Sequence, residues 1–328
     1  MRFGAFVPQG WRFDLVGIAP AQQWQAMSDV ATHLDGGAWE SLWVYDHFHT
    51  TPVASHEATH EAWTLMSAFA ASTSRIRLGQ MCTCMGYRNP AYLAKVAATV
   101  DIISGGRTEM GIGGGWYEHE WRAYGYGFPE IPQRLGMLRE GVDIMSQAWR
   151  TGSATLSGKY FQVDGAIVEP RPLQAGGIPL WIAGGGEKVT LKIAARVAQY
   201  TNFTGTLEEF DHKSTVLRQH CDAIGRPFEQ ITRSSNFNTI VGETEGEAAE
   251  RLDTVMARLT PHVGEARAER IRAEYENSPG YGTIEQVAER LAERQAHGLG
   301  YAIHYFPEMA YDRSGVELFE RSVMRELS

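Results

Sequence analysis

The chain has 328 residues, a formal net charge of −9 and 43% apolar side chains. The acidic balance argues against a general affinity for phosphate backbones or anionic membranes, and no apolar run approaches the length of a membrane span. The sequence is long enough to bury a sizeable core without staples or metals. Its three cysteines, Cys82, Cys84 and Cys221, are too few and odd in number for a disulfide framework. The expectation is a cytoplasmic protein with a small-molecule substrate and no nucleic-acid or membrane partner. Residues 1–7 read as a short strand rather than as a leader.

Strand-like and helix-like segments alternate along the chain. Residues 2–7 form an apolar run closed by Pro8, 21–34 have helical composition, and 41–45 make a second apolar run. Helical sequence returns at 61–71, and 75–82 are strand-like. At Asn89 and Pro90 a helix start is clear, with Leu93, Val96, Val100 and Ile103 expected on its inner face. Thr108, Met110 and Ile112 then mark a strand that runs into glycines. Residues 138–149 read as the fourth helix, and 151–174 as a hairpin-bearing insertion after it. A strand at 179–183, a helix at 187–197 and a strand near 200–203 follow. Three later helix starts carry capping-box spacing, in which a threonine and a Glu or Gln three residues on satisfy each other's amides: Thr206 with Glu209, Thr244 with Glu247, Thr283 with Gln286. Strands at 231–241 and 301–306 complete about eight β/α units. That count predicts a single (β/α)₈ barrel spanning 1–328. An open doubly wound sheet is the alternative, weakened because Trp116 stands where G-x-G-x-x-G needs its last glycine.

Barrel chemistry gathers at the C-terminal ends of the strands, and four clusters lie at such ends. Asp46 and His47 follow the second strand; histidine suits proton transfer near neutral pH, and an adjacent carboxylate can orient it or raise its pKa. Met81, Cys82 and Thr83 end the third strand, where small polar residues suggest a bulge. The C-x-C spacing lacks a second thiol pair for zinc, and two packed thiols are the simpler account. Gly113, Gly114 and Gly115 would let a flat ligand approach the backbone, or serve only a tight turn. Gly184, Gly185 and Gly186, with Lys188, open a helix and offer free amides to a phosphate, or again form only a turn.

The motifs RIRLG at 75–79, YRNP at 87–90, LAKVAATVDIISGGR at 93–107 and GIGGGW at 111–116 resemble the luciferase-like monooxygenase superfamily. SLWVYDH at 41–47, WIAGGGEK at 181–188 and YFPEMAYD at 305–312 extend the likeness over nearly the whole chain. It is greatest to the branch that uses the 5-deazaflavin coenzyme F420. The resemblance implies a hydride-transferring oxidoreductase, with FMN-dependent monooxygenase as the alternative. It places Asp46 and His47 beside the reactive ring as catalytic residues, and Met81 and Cys82 at a bulge, often a non-prolyl cis peptide, behind it. Thr83, Gly114, Gly115 and Trp116 would line the cofactor, and Gly184, Gly185, Gly186 and Lys188 would hold its phosphate. It also implies a homodimer through the second and third helices. Trp116 occupies the position of a catalytic Glu in the sugar-phosphate dehydrogenases, which disfavours that substrate, and Tyr200 is expected to narrow the pocket or replace a polar contact. A metal-dependent hydrolase using His47, His49, His56 and His60 is the reading from another class; exposed histidines explain them more simply.

Overall fold

The computed structural model describes residues 1–327 and divides into two compact units that share the chain. The first takes 1–43, 47–60 and the part from 233 onward; the second takes 44–46 and 61–232.

The first unit is built on parallel strands in the order Gly280–Thr283, Thr232–Gly242, Leu299–Tyr305, Arg2–Phe6, Ser41–Val44. Gly4 pairs with Ile303 on one side and Ser41 on the other. Helices Pro20–Gly36, Glu245–Val263, Glu265–Glu276, Ile284–Ala296 and Ser314–Phe319 accompany them. The Thr283/Gln286 capping box forms in both directions. At Thr244 only half of it forms: the hydroxyl accepts from Glu247 N, while the Glu247 carboxylate reaches back to Glu243 N and to Arg251. Strand Gly280–Thr283 and helix Glu265–Glu276 were not expected. The strand has two glycines in four residues, and the helix buries only Ala268 and Tyr275, so neither carries an apolar period.

In the second unit the parallel strands Arg77–Gln80, Thr108–Gly113, Leu180–Ala183 and Tyr200–Asn202 lie side by side in chain order. All six residues of Thr108–Gly113 are buried, as in a parallel sheet covered on both faces. The segment expected to carry a hairpin does so: Ser153–Ser157 pairs antiparallel with Gln162–Ile167.

Asn89 caps helix Pro90–Ser104 as expected, and Gly105 ends it in the left-handed region at φ 69°. The helix's inner stripe is not the expected one. Leu93 and Val100 are buried, but Val96 is half-buried and Ile103 is 47% exposed. Ala94, Ala97 and Ala98 fill the inner face, where small side chains let the helix sit close to its neighbours, and the bulkier Tyr92, Ile102 and Ile103 are left outside. Helix Ile131–Thr151 starts earlier than its apolar pattern, at a Glu130/Gln133 capping box with Pro132 in the first turn. Helix Thr190–Val197 starts later than expected, after a turn that contains Glu187 and Lys188. Among the described residues no helix is long and apolar enough to cross a membrane.

Candidate active site

Register aligns the strand ends of the second unit. Cys84 pairs with Gly113, Ile112 with Ile182, and Ala183 with Asn202, so the residues that follow all emerge from one edge of the sheet. That edge carries the expected cofactor residues: Met81, Cys82 and Thr83, then Gly114, Gly115 and Trp116, then Gly184, Gly185 and Gly186.

At the third strand the chain turns through a cis peptide between Met81 and Cys82, and Met81 N donates to Val44 O at 2.9 Å. Thr83 Oγ1 donates to Gln80 Oε1 at 2.7 Å. Gln80 is 1% exposed, and its Nε2 has no acceptor among the described residues, an orphaned donor beside the bulge. Burial, and then the Asp46 carboxylate, push the Cys82 thiol up to about 12; Cys84 is raised for the same reasons. Both shifts favour the neutral thiol over the thiolate; Cys84 is buried and Cys82 half-buried.

Asp46 is 1% exposed. Its Oδ2 accepts from Cys84 N at 2.8 Å and Arg88 Nη1 at 2.7 Å, and its Oδ1 from Arg88 Nη2 at 2.9 Å. Arg88 also donates to Glu61 Oε1 at 2.9 Å, and Glu61 caps helix Ala62–Ser72. Sequence reasoning did not single out Arg88; a lone arginine before an Asn-Pro helix start carries no signal of its charge partner. In the first unit, the ring of His47, the next residue after Asp46, stacks on Trp11 with centroids 4.2 Å apart and planes 2° from parallel. His60 Nε2 bonds Gln23 Oε1 at 2.8 Å.

The glycines differ in what they do. A Cβ on Gly113 would stand 2.9 Å from Cys82 Sγ, and Gly115, at φ 76°, lies against Cys84 and Trp121. These two serve close packing. Gly114 has more room, its nearest neighbour being Leu135 at 3.4 Å. Trp116 is 59% exposed and stacks on Tyr117. Tyr200 starts its strand, pairs with Trp181 and stacks on it at 3.9 Å. It lies at the opposite end of the sheet from the glycine loops, so the expectation that it narrows the pocket is overturned.

Gly184, at φ 110°, donates its amide to Asn202 O at 2.8 Å and turns the chain out of the strand. The next six amides, from Gly185 to Thr190, have no acceptor among the described residues. Glu187 is held by His212 Nε2 at its carboxylate (2.9 Å) and by His220 Nε2 at its carbonyl (2.8 Å). Lys188 is exposed.

The sequence profile of the luciferase-like monooxygenase family matches residues 1–301, and the chain belongs to that family. An F420-dependent glucose-6-phosphate dehydrogenase from Kineococcus radiotolerans is 32% identical over 246 residues, 74% of this chain and 70% of the relative. Among solved structures, the monooxygenase RslO1 from Streptomyces bottropensis aligns over 100% of both chains with a TM-score of 0.82 at 18% identity. An F420-dependent secondary alcohol dehydrogenase, solved with an F420–acetone adduct, aligns over 98% of both at 0.79 and 18% identity. The fold is thus a (β/α)₈ barrel, and the class is oxidoreductase.

Proposed function

We propose that this chain is an F420-dependent oxidoreductase that moves a hydride between the 5-deazaflavin and a small organic substrate. The observation that carries the reading is the run of six amides without an acceptor among the described residues after strand Leu180–Ala183, an arrangement that favours a phosphate-bearing cofactor. The relative from Kineococcus, named as F420-dependent, supports the deazaflavin. Gly184, Gly185, Gly186 and Lys188 would hold the phosphate. Asp46, Met81, Cys82, Thr83, Gly114, Gly115 and Trp116 would line the ring, and the orphaned Gln80 amide suits a polar ring edge.

When bound, the deazaflavin supplies a ring carbon that carries hydride and does not activate oxygen as a flavin does. His47 would deliver or remove the substrate's proton at an imidazole nitrogen, and the Trp11 stack restricts the tilt of its ring. We read Asp46 as a positioning residue: its carboxylate binds Arg88 and the Cys84 amide, fixing the backbone that leads into His47. The sugar phosphate of the relative is not carried over, because an exposed Trp116 stands where that branch has its carboxylate. A homodimer belongs to the same reading, supported by the exposed Tyr92, Ile102 and Ile103 on helix Pro90–Ser104; light scattering at micromolar concentration should report twice the chain mass. The likeness to a monooxygenase favours one second reading, an FMN-dependent monooxygenase.

Titration of purified protein with each cofactor, followed by fluorescence, tests the proposal. The deazaflavin should bind more tightly than FMN, and His47→Ala should lower turnover about 10²–10⁴-fold with far less change in cofactor affinity. Retention of FMN with no response to the deazaflavin would move the assignment to the monooxygenase.

A further inference from the structure

Lys188 adjoins the glycine loop in sequence, but it is exposed. A second cation, Lys213, comes from helix Leu207–Asp222. Its side chain lies across Gly185: a Cβ built there would stand 2.8 Å from Lys213 Cε and 3.1 Å from Nζ. The ammonium donates to Thr204 O at 3.1 Å, which holds it over the loop, and no carboxylate pairs with it among the described residues. Two of its three protons remain available. Beneath the same loop lies Thr190, only 4% exposed. Its Oγ1 would be 2.9 Å from a Cβ on Gly186, and it has no hydrogen-bond partner among the described residues. Consecutive amides without a protein acceptor, the hydroxyl of a largely buried threonine and a tethered ammonium all lie against this loop.

We infer that Lys213, rather than Lys188, is the cation that neutralises the phosphate at the Gly184–Gly186 loop, with Thr190 as its neutral co-donor. This rests on the reading of the loop as the phosphate site. Gly185 has a second reason to be glycine, since any side chain there would displace Lys213. The helix that carries Lys213 also carries His212 and His220, which clamp Glu187. Helix Leu207–Asp222 therefore fixes both the shape of the loop and its charge.

The test compares the deazaflavin with and without its phosphate, by fluorescence titration of wild type, Lys213→Met, Lys213→Arg and Lys188→Met. Wild type should prefer the phosphate-bearing form. Lys213→Met should lose about 10–100-fold of that preference, Lys213→Arg should keep most of it, and Lys188→Met should change it less than threefold. Affinity for the phosphate-free form should be unchanged throughout, which separates a lost charge contact from a disturbed fold; melting temperatures check the same point, and Lys213→Gln replaces the Met variant if that one melts early. A full preference surviving in Lys213→Met would overturn the inference and leave the loop assignment standing. Absence of any preference in wild type would overturn the loop assignment and the inference together.

Discussion

The two units differ in how completely they partner their buried titratable groups. In the second, every buried ionic side chain is met by a partner. Asp46 has Arg88 and an amide, Asp101 binds the amides of Thr108 and Leu173 and the Gln174 side chain, and Glu109 accepts from Arg77 and Trp181. Glu140 accepts three successive amides, from Lys159, Tyr160 and Phe161. In the first unit two titratable groups are buried without such support. His304 has one nitrogen on Thr239 Oγ1 and the other unpartnered amid Phe3, Phe237, Phe306 and Phe319; burial pushes it down to about 3. Neither Glu308 oxygen has a partner from another residue, and burial pushes that carboxyl up to about 7 against the opposing effects of its own backbone amide and of Arg251 and Arg258. The second unit meets each buried ionic group with a partner, whereas the first does so for Asp14, through two amides and the Tyr305 hydroxyl, but leaves His304 and Glu308 to burial, which favours their neutral forms.

The largest expected effect breaks the paired side of this contrast. Arg88→Met leaves the Asp46 carboxylate buried without its cation and should cost about 3–5 kcal/mol in unfolding free energy, measured by urea denaturation. A loss below about 1 kcal/mol would mean that solvent reaches Asp46 and that the pairing is incidental.

A smaller effect sharpens the other side. Glu308 has a folded value above its ordinary 4.5, so between those two values the folded state holds a proton that the unfolded state releases. Stability is therefore fully present below about pH 4.5 and is lost as pH rises through about 7. Glu308→Gln should remove that loss, raising stability by about 1–3 kcal/mol at pH 8 relative to its effect at pH 4. Thermal melts across that range check it; a wild-type profile no steeper than the variant's would show Glu308 to be ionised and solvated. His304 has the reverse sign, with stability lost as pH falls from its ordinary 6.5 toward about 3. The first unit is thus squeezed from both directions.

What was legible from sequence follows the same physics. Strands and helices with an apolar period, such as Thr108–Gly113 and Leu299–Tyr305, were found near their true bounds. Gly280–Thr283 and Glu265–Glu276 were not, because they depend on neighbours rather than on a pattern of their own. At the candidate site the glycine loops and the Met81–Cys82 bulge announce themselves by local composition. Arg88, Gln80 and Lys213 do not: each matters through a partner that only the folded backbone brings near. Lys188 drew attention for being adjacent in the chain, which is no guide to where an ammonium sits.

Arg107 has a consequence for how this protein opens. Its guanidinium donates to Ser104 O, Ala70 O, Thr73 O, Thr73 Oγ1 and Ile76 O, tying the ends of helices Ala62–Ser72 and Pro90–Ser104 to the segment just before strand Arg77–Gln80. Fraying any one of these three would strand a buried cation with part of its bonding lost, so none gains by loosening alone. They form one cooperative unit, in which amide protons far apart in the chain exchange with solvent through a shared event rather than piecemeal. The glycine loops at the other end of the same sheet are held separately, by Arg134 on the Gly115 carbonyl and by His212 and His220 on Glu187, so loosening at the Arg107 end and loosening at the loop end are independent events.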